Sequence, residues 1–377
     1  MKSLRELVDL NHGLSHEKPE MFSKADPQPL GTARWDWSQV KRVLVIRLRS
    51  IGDTVLATPS LFALKRFLPH VEVDIVLEDW VAPVLSQHPD LHRIITLERK
   101  SFASRARVAR ELRAAKYDVV YNLHGGTTGT FLTRATGATH RVGYANYQYS
   151  RLHNHRAPSP LLLWNQQKTH SVEQQLALLG WTGIPVTDRP PTHLSVTHEA
   201  VHSVEAKLNR AGISDREIVL MHPAAAFSTK QWATDKFARI AELLVERGLT
   251  VVAIASLSEQ RVIDELIEKS KVSITPLSLS LPEVTALASR SSLFIGNDSG
   301  IAHIAAAVKT PSVVIFGSSN VDHWKPWSTA PTHVVREEMP CQPCHGYFCE
   351  KFAEPQCIIR VPVERVARAI DILLGQR

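Results

Sequence analysis

Apolar and polar positions alternate in blocks along most of this chain, and the blocks predict repeated strand–helix units. The apolar run at Val43–Leu48 is typical of a strand buried on both faces, and Val71–Leu77 and Tyr117–Leu123 are further predicted strands. The segments between them carry apolar residues at helical spacing. A second series of the same kind starts at Ile218–Met221, after a proline-rich break at Asp188–Pro191. The pattern therefore predicts two α/β domains with parallel sheets.

The same breaks set the predicted domain limits. Residues 1–40 form an N-terminal extension, and its part 11–40 is rich in Pro, Gly and polar residues, so we expect it to be loosely held. Residues 2–10 have the spacing of a short amphipathic helix, with a solvated extension as the alternative. The rest divides into a first domain, a second domain and a closing C-terminal helix, at residues 41–190, 191–360 and 361–377.

The most distinctive stretch is Gly296–His303, which joins the apolar run Leu293–Ile295 to a helical pattern. It is therefore predicted at the carboxyl end of a strand, where open α/β sheets bind ligands. Asp298 or Ser299 is expected to cap the helix, and Gly300 lets a ligand approach the backbone. Free N–H groups and the positive helix end suit a diphosphate, whereas an ordinary capped helix is the alternative.

The turn after the first strand offers one carboxylate, Asp53, next to Gly52. The turn lacks a G-x-G-x-x-G pattern, which disfavours a dinucleotide site of the common kind. Asp53 is interpreted either as a helix N-cap or as a general base facing a cleft.

Three further segments are candidates for binding anions. The glycine-rich segment His124–Thr128 follows the Tyr117–Leu123 strand and is expected near Asp53 if the sheet is parallel. Small and hydroxyl-bearing residues after Ile218–Met221 form a possible second anion cradle with Ser228, Thr229 and Lys230. An exposed loop lysine is the alternative there. The predicted helix 99–116 is strongly cationic, which indicates a solvated face or, for its early residues, contact with an anionic acceptor.

Charge and hydropathy narrow the function classes. The net charge of +7 favours an anionic partner, but no zinc-finger spacing, basic heptad region or aromatic RNA-binding signature supports nucleic acid. No apolar run approaches the length of a membrane span, and the N-terminus has no signal-peptide core. We therefore expect a cytoplasmic protein, with peripheral contact at the cytoplasmic face of the inner membrane left open.

All four cysteines lie close together in the sequence, at Cys341, Cys344, Cys349 and Cys357. In a cytoplasmic protein this clustering favours a metal site over disulfides, and Cys341 and Cys344 have the spacing of a zinc or iron half-site. A structural Cys₄ zinc or iron site and free thiols both remain open.

Three motifs together resemble glycosyltransferase family 9, whose best-known members are ADP-heptose:lipopolysaccharide heptosyltransferases. They are Ser50–Asp53 after the first strand, Lys230–Trp232 after the first strand of the second domain, and Asn297–His303. Arg141–Tyr144 also matches, and the resemblance runs from about residue 41 to the C-terminus. It implies a GT-B fold: two Rossmann-like, doubly wound domains facing each other across a cleft, with the acceptor on the N-terminal side.

The resemblance also implies the chemistry, which is inverting, metal-independent transfer of heptose from ADP-heptose to a lipopolysaccharide inner-core acceptor (lipid A–Kdo or a heptosylated core). Asp53 is then the catalytic base and Lys230 the diphosphate ligand. The implied donor side consists of Ser228, Thr229, Lys230, Glu259, Asp298, Ser299, Gly300 and His303. The implied acceptor side consists of Gly52, His124, Gly125 and Arg141. For His303, a packing role inside the helix is the alternative, and the turn before Glu259 lacks the glycines that the family often has.

Two alternative functions also remain compatible with the sequence. A GT-B transferase acting on another nucleotide-sugar or on a protein acceptor uses the same fold. A non-catalytic nucleotide-binding scaffold belongs to another class, and the joint presence of Asp53, Lys230 and Asp298 argues against it.

Overall fold

The computed structural model describes residues 26–344 and 347–375. The helix predicted for residues 2–10 lies outside the described residues. The chain divides into two compact units whose boundary falls between Ser195 and Val196, a few residues after the predicted position.

The first unit is built around one parallel sheet. Its strands are β1 (Arg42–Ile46), β2 (Glu72–Glu78), β3 (Arg93–Leu97), β4 (Val119–Asn122), β5 (His140–Tyr144) and β6 (His155–Ala157). Its helices are α1 (Ile51–Val55), α2 (Thr58–Phe67), α3 (Phe102–Ala114), α4 (Gly126–Ala135), α5 (Pro160–Trp164) and α6 (Ser171–Gly180). In the described residues the strand order is β3-β2-β1-β4-β5-β6.

The second unit repeats this plan. Its strands are β7 (Ile218–His222), β8 (Thr250–Ile254), β9 (Thr275–Leu277), β10 (Leu293–Asn297), β11 (Ser312–Phe316) and β12 (Thr332–Arg336). Its helices are α7 (His198–Arg210), α8 (Thr234–Glu246), α9 (Gln260–Lys269), α10 (Leu281–Arg290), α11 (Gly300–Ala307), α12 (Val321–Trp324), α13 (Gln356–Ile359) and α14 (Val363–Leu374). The parallel strand order, over the part of the chain that is described, is β12-β11-β10-β7-β8-β9.

The continuous apolar runs are central strands, as predicted. In β1 the side chains of residues 43–46 are fully buried, and so are those of residues 219–221 in β7. A strand that is covered by helices on both faces cannot alternate polar and apolar residues, because each face is part of the core. The closing helix α14 buries Val366 and Ile370 in the core of the second unit.

In each sheet the order in which successive strands are added reverses at one position, called the topological switch point. In the first unit this position lies between β1 and β4, and in the second it lies between β7 and β10. The loops at the carboxyl ends of these paired strands diverge and leave a crevice, which is where doubly wound sheets bind ligands. The topology therefore predicts that the turns after β1, β4, β7 and β10 carry the functional groups.

The chain after β1 forms two helices, because Pro59 fits only in the first turn of α2. The segment 146–167 contains the edge strand β6 and helix α5. One local expectation was wrong. Residues 26–40, expected to be loosely held, attach to the first unit: the Leu30 N–H donates to the Gly180 carbonyl at 3.0 Å.

In the described part of the chain, none of the helices combines the length and the apolar character that crossing a bilayer requires.

Candidate active site

Asp53 lies at the carboxyl end of β1, in the first turn of α1. It is not the N-cap, as one interpretation held. Ser50 is the N-cap, and Asp53 is the third helical residue of a capping box. The backbone N–H and the hydroxyl of Ser50 both donate to Asp53 Oδ2 at 3.1 Å. The carboxylate is therefore held in a fixed orientation at the crevice edge of the sheet, with its side chain 19% exposed.

The other carboxylate oxygen of Asp53 pairs with Arg47. This arginine ends the apolar strand and is only 8% exposed. Its guanidinium donates to Asp53 Oδ1 and, from a second nitrogen, to the Leu123 carbonyl at 2.8 Å. The pair was missed from the sequence, although an arginine at the end of an apolar strand is itself a signal of a buried partner. Each carboxylate oxygen has a second lone pair with which to accept a substrate hydroxyl proton.

His124 follows β4 and lies close enough to Asp53 and Arg47 for their charges to affect it, as predicted from the parallel sheet. Burial and then the charge of Arg47 lower the pKa of His124, which is about 4 even though the Asp53 charge opposes the shift. The imidazole is therefore neutral at pH 7. Its Nδ1 atom is buried without a hydrogen-bond partner.

A pocket of about 250 Å³ opens beside these residues, within the first unit. Its walls come from the carboxyl ends of β1 to β4 and from the start of α4. Four cations line it, Arg49, Arg99, Lys100 and Arg105, together with the carboxylates of Glu78 and Glu98. The early residues of the cationic segment 99–116 thus face a cavity, which favours the acceptor-contact interpretation over a purely solvated face.

The remaining acceptor-side candidates, Gly52, Gly125 and Arg141, have structural roles. Gly125 has a φ of +67°, and a Cβ there would lie 3.0 Å from the Tyr147 ring, so only glycine fits. Gly52 is buried in α1. Arg141 uses its guanidinium on the carbonyls of Ala138 at 2.6 Å and Leu152 at 3.2 Å. The structure therefore places Arg141 in support of the loop and outside the walls of the pocket.

In the second unit, Lys230 and Asp298 meet at the crevice between β7 and β10. Lys230 Nζ lies 2.7 Å from Asp298 Oδ2, and the Ser319 hydroxyl donates to the same oxygen at 2.5 Å. Asp298 is 6% exposed and Lys230 24% exposed, so the ammonium group remains accessible. Ser319, in the turn after β11, was missed from the sequence, although a Gly-Ser-Ser turn after a strand next to β10 was a usable signal.

Helix α11 begins directly beside this ion pair. Its N-cap is Ser299, whose side chain makes no capping hydrogen bond; instead, its hydroxyl lies 3.2 Å from His222 Nδ1. The first N–H groups of α11, starting at Gly300, thus keep the donor capacity that a helix end offers to an anion. Asp298, Ser299, Gly300 and Lys230 are brought together as predicted.

Thr229 and Ser228 differ in their exposure. Thr229 is buried, and its hydroxyl accepts a hydrogen bond from Ser318 Oγ at 3.0 Å, whereas Ser228 is exposed. A Cβ on Gly317 would lie 2.1 Å from the Thr229 carbonyl oxygen, so the turns after β7 and β11 are in close contact. The geometry makes Thr229 a support for Lys230, while Ser228 stays open to a ligand.

Glu259 and His303 lie at the same edge of the second sheet. Glu259 closes a capping box with Ser256, whose hydroxyl donates to it at 2.6 Å. Its charge also acts on His222, whose pKa burial lowers to about 4 while Glu259 opposes the shift. His303 is 5% exposed, within the buried surface of α11.

The four cysteines are reduced and near one another. Burial, together with the charges of Cys344, Cys341 and Cys349, raises the pKa of Cys357 to about 11. Among the described residues, however, the group whose ligand atoms all lie within 4.8 Å is His88, Asp90 and His193, and the cysteines do not reach that spacing. The thiols are a suitable donor set for zinc or iron, but they are not arranged as a closed site.

Acidification is expected to destabilise both units. His124 and His222 have a pKa of about 4 in the folded chain, against about 6.5 when unfolded. The unfolded chain therefore binds more protons between these values, so stability is lost as pH falls through this window, by about 2 kcal/mol per histidine at pH 5. Thermal unfolding midpoints at pH 7 and pH 5 measure the loss. His124→Gln should show a smaller drop than wild type, and exposed His70→Gln an unchanged one; equal drops in all three would contradict the assignment.

Comparisons with known proteins agree with this arrangement. The family model described as glycosyltransferase family 9 (heptosyltransferase) matches residues 105–352. Lipopolysaccharide heptosyltransferase 3 of Escherichia coli K12 is 30% identical over 302 residues, which are 74% of this chain and 84% of the relative.

Two solved structures have the same fold. A glycosyl transferase of family 9 from Veillonella parvula superposes with a TM-score of 0.78 at 22% identity, over 89% of this chain and 98% of the other. The E. coli ADP-heptose lipopolysaccharide heptosyltransferase II gives a TM-score of 0.74 at 23% identity, over 89% and 99%. At these identities the structures establish the GT-B type of fold, with its two doubly wound units.

Proposed function

Because this chain belongs to glycosyltransferase family 9, the heptosyltransferases, we propose that it transfers heptose from ADP-heptose to the inner core of lipopolysaccharide, with inversion. The main observation behind the proposal is that each unit has a group suited to one half of the reaction at the switch point of its own sheet. The first unit presents an oriented carboxylate, Asp53, beside a cationic pocket. The second presents an accessible ammonium, Lys230, beside the N-terminus of α11.

On the acceptor side, Asp53 acts as the general base. It accepts the proton of the acceptor hydroxyl while that oxygen forms a bond to the anomeric carbon of the sugar. Arg47 and Ser50 hold the carboxylate in place, so little reorganisation is needed when the proton moves. The neutral imidazole of His124 adds a polar wall without adding positive charge.

On the donor side, the bond between the anomeric carbon and the diphosphate oxygen breaks, and its electron pair stays on ADP. Charge grows on the leaving diphosphate, where Lys230 and the first N–H groups of α11 stabilise it. Asp298 and Ser319 hold Lys230 at this position. The sugar carries oxocarbenium character in the transition state.

The cationic pocket suits an anionic acceptor. Arg49, Arg99, Lys100 and Arg105 lie around a cavity large enough for a charged sugar or phosphate group. Two of them, Arg99 and Lys100, come two and three residues after the end of β3 at Leu97, so the sheet fixes where this segment begins. This charge and the net charge of +7 fit a carboxylate- or phosphate-bearing lipopolysaccharide core.

The proposal also covers the cellular location, the partners and the cofactor requirement of the enzyme. We infer a cytoplasmic enzyme that meets its lipid-linked acceptor at the inner membrane, with no nucleic-acid partner and no cofactor needed for the transfer step. A zinc or iron ion held by Cys341, Cys344, Cys349 and Cys357 would be structural, and no step above depends on it.

Nucleotide binding tests the donor assignment. Calorimetric titration of the full-length protein with ADP, UDP, GDP and NAD should give the tightest binding with ADP. ADP at about 100 times its Kd should then stabilise the protein against unfolding by about 2.7 kcal/mol. Preference for UDP or GDP would redirect the proposal to another nucleotide-sugar. ADP binding without transfer to any heptose acceptor would favour the scaffold alternative or a protein acceptor.

A further inference from the structure

A second cluster of metal-ligating side chains lies in the first unit, outside the pocket described above. It consists of His88 and Asp90, in the loop before β3, and His193, close to the boundary between the units. One ligand atom from each of the three residues lies within 4.8 Å of those from the other two. The rings of His88 and His193 are 4.5 Å apart, and His193 Nε2 is 3.4 Å from Asp90 Oδ2.

Two buried atoms of this cluster have no hydrogen-bond partner. They are His88 Nε2 and Asp90 Oδ2. His88 is 4% exposed, so water does not compensate it, and a buried polar group without a partner is costly. The cluster thus combines two imidazoles with one carboxylate.

We propose that His88, Asp90 and His193 bind a divalent transition metal ion such as zinc. Two imidazoles and one carboxylate are a set that zinc accepts with a water as fourth ligand, whereas magnesium and calcium prefer oxygen ligands. Ligand atoms about 2.1 Å from a tetrahedral ion are about 3.4 Å apart. His193 Nε2 and Asp90 Oδ2 already have this separation, and ligand atoms up to 4.8 Å apart have to move together by at most about 1.4 Å.

Neighbouring residues position the three ligands, but one existing hydrogen bond has to break when a metal ion binds. The backbone N–H of His193 donates to Thr58 Oγ1 at 3.1 Å, which fixes this residue against the start of α2. The Asp90 N–H lies 3.3 Å from His88 Nδ1. Metal bound at Nε2 moves the ring proton to Nδ1, so this long contact has to turn aside. His193 is 32% exposed on its side chain, which gives an ion a route in from solvent.

An ion here would have a local structural effect. His193 comes just before the boundary at Ser195, and His88 and Asp90 belong to the loop between the short 3₁₀ turn Ala82–Leu85 and β3. A metal bound by all three cross-links the last segment of the first unit to the body of that unit. None of the three residues has a role in the proposed transfer reaction, so the metal-site proposal does not depend on that reaction.

Metal titration of the full-length protein tests the site. After removal of metals by a chelator, the protein is titrated with Co²⁺ and with Zn²⁺. Wild type should take up one equivalent with nitrogen and oxygen ligands, seen as cobalt ligand-field absorption without sulfur-to-cobalt charge transfer. Any binding by the cysteines carries the charge-transfer bands and is counted separately.

The variants His193→Gln and Asp90→Asn should each weaken this equivalent by about tenfold or more, because each removes one of only three protein ligands. Both replace partly exposed side chains with similar shapes, so folding should survive, and circular dichroism checks this. His70→Gln, an exposed histidine of the same unit, is the matched control and should bind as wild type does. Unchanged stoichiometry and affinity in both variants, or uptake with sulfur bands only, would overturn the proposal.

Discussion

Asp53→Asn is expected to lower the turnover number by about 10²- to 10⁴-fold, the usual contribution of a general base. The amide has nearly the same shape but cannot take the acceptor proton. The substitution also leaves the buried Arg47 guanidinium without its charged partner, so we expect a stability loss of about 1–3 kcal/mol. Steady-state transfer assays with ADP-heptose and thermal unfolding measure the two effects separately.

Asp118→Asn is the matched control for this experiment. The Asp118 carboxylate accepts the backbone N–H groups of Lys41 at 2.8 Å and Arg42 at 2.9 Å, at the opposite edge of the same sheet. Its replacement should cost comparable stability while leaving the turnover number unchanged. If Asp53→Asn retains the turnover of Asp118→Asn, Asp53 serves only to hold Ser50 and Arg47 at the start of α1.

Lys230→Met is expected to lower the turnover number by about 10²- to 10³-fold, as removal of one group that stabilises developing charge usually does. The affinity for ADP should fall as well, because the ammonium group faces the diphosphate before and after transfer. Transfer assays and calorimetry with ADP give the two values.

Lys269→Met provides the comparison, since Lys269 forms a similar ion pair with Glu265 at 2.6 Å in the same unit but at the far end of α9. It should leave both the turnover number and the affinity for ADP unchanged. Equal effects of the two lysine substitutions would show that loss of positive charge in general, and not the position of Lys230, explains the result.

The fold was largely predictable because most residues of the central strands are apolar. Runs such as residues 43–48 and 218–221 have few alternatives once they alternate with helical patterns. Edge elements were harder. The strand β6 (His155–Ala157) is short and polar, so its pairing with β5 depends on tertiary contacts that no local pattern records.

The site was predictable where a motif coincides with a strand end. Lys230 and Asp298, 68 residues apart in the chain, were both placed on such ends, and the structure joins them at 2.7 Å. The partners Arg47 and Ser319 were not predicted, because which side chain turns toward a carboxylate depends on three-dimensional packing. The metal site at the cysteines stays a prediction, because sequence proximity alone does not fix the distances between the sulfur atoms.

The contact between Lys230 and Asp298 bears on how the spent nucleotide departs. A lysine that loses an anionic ligand in a partly buried place is normally left with an uncompensated charge, and that cost slows dissociation. Here the ammonium group of Lys230 can pair with the carboxylate of Asp298, which also accepts a hydrogen bond from Ser319. Replacement of Asp298 by asparagine would therefore tighten the hold on ADP and make each catalytic cycle wait longer for its by-product to leave.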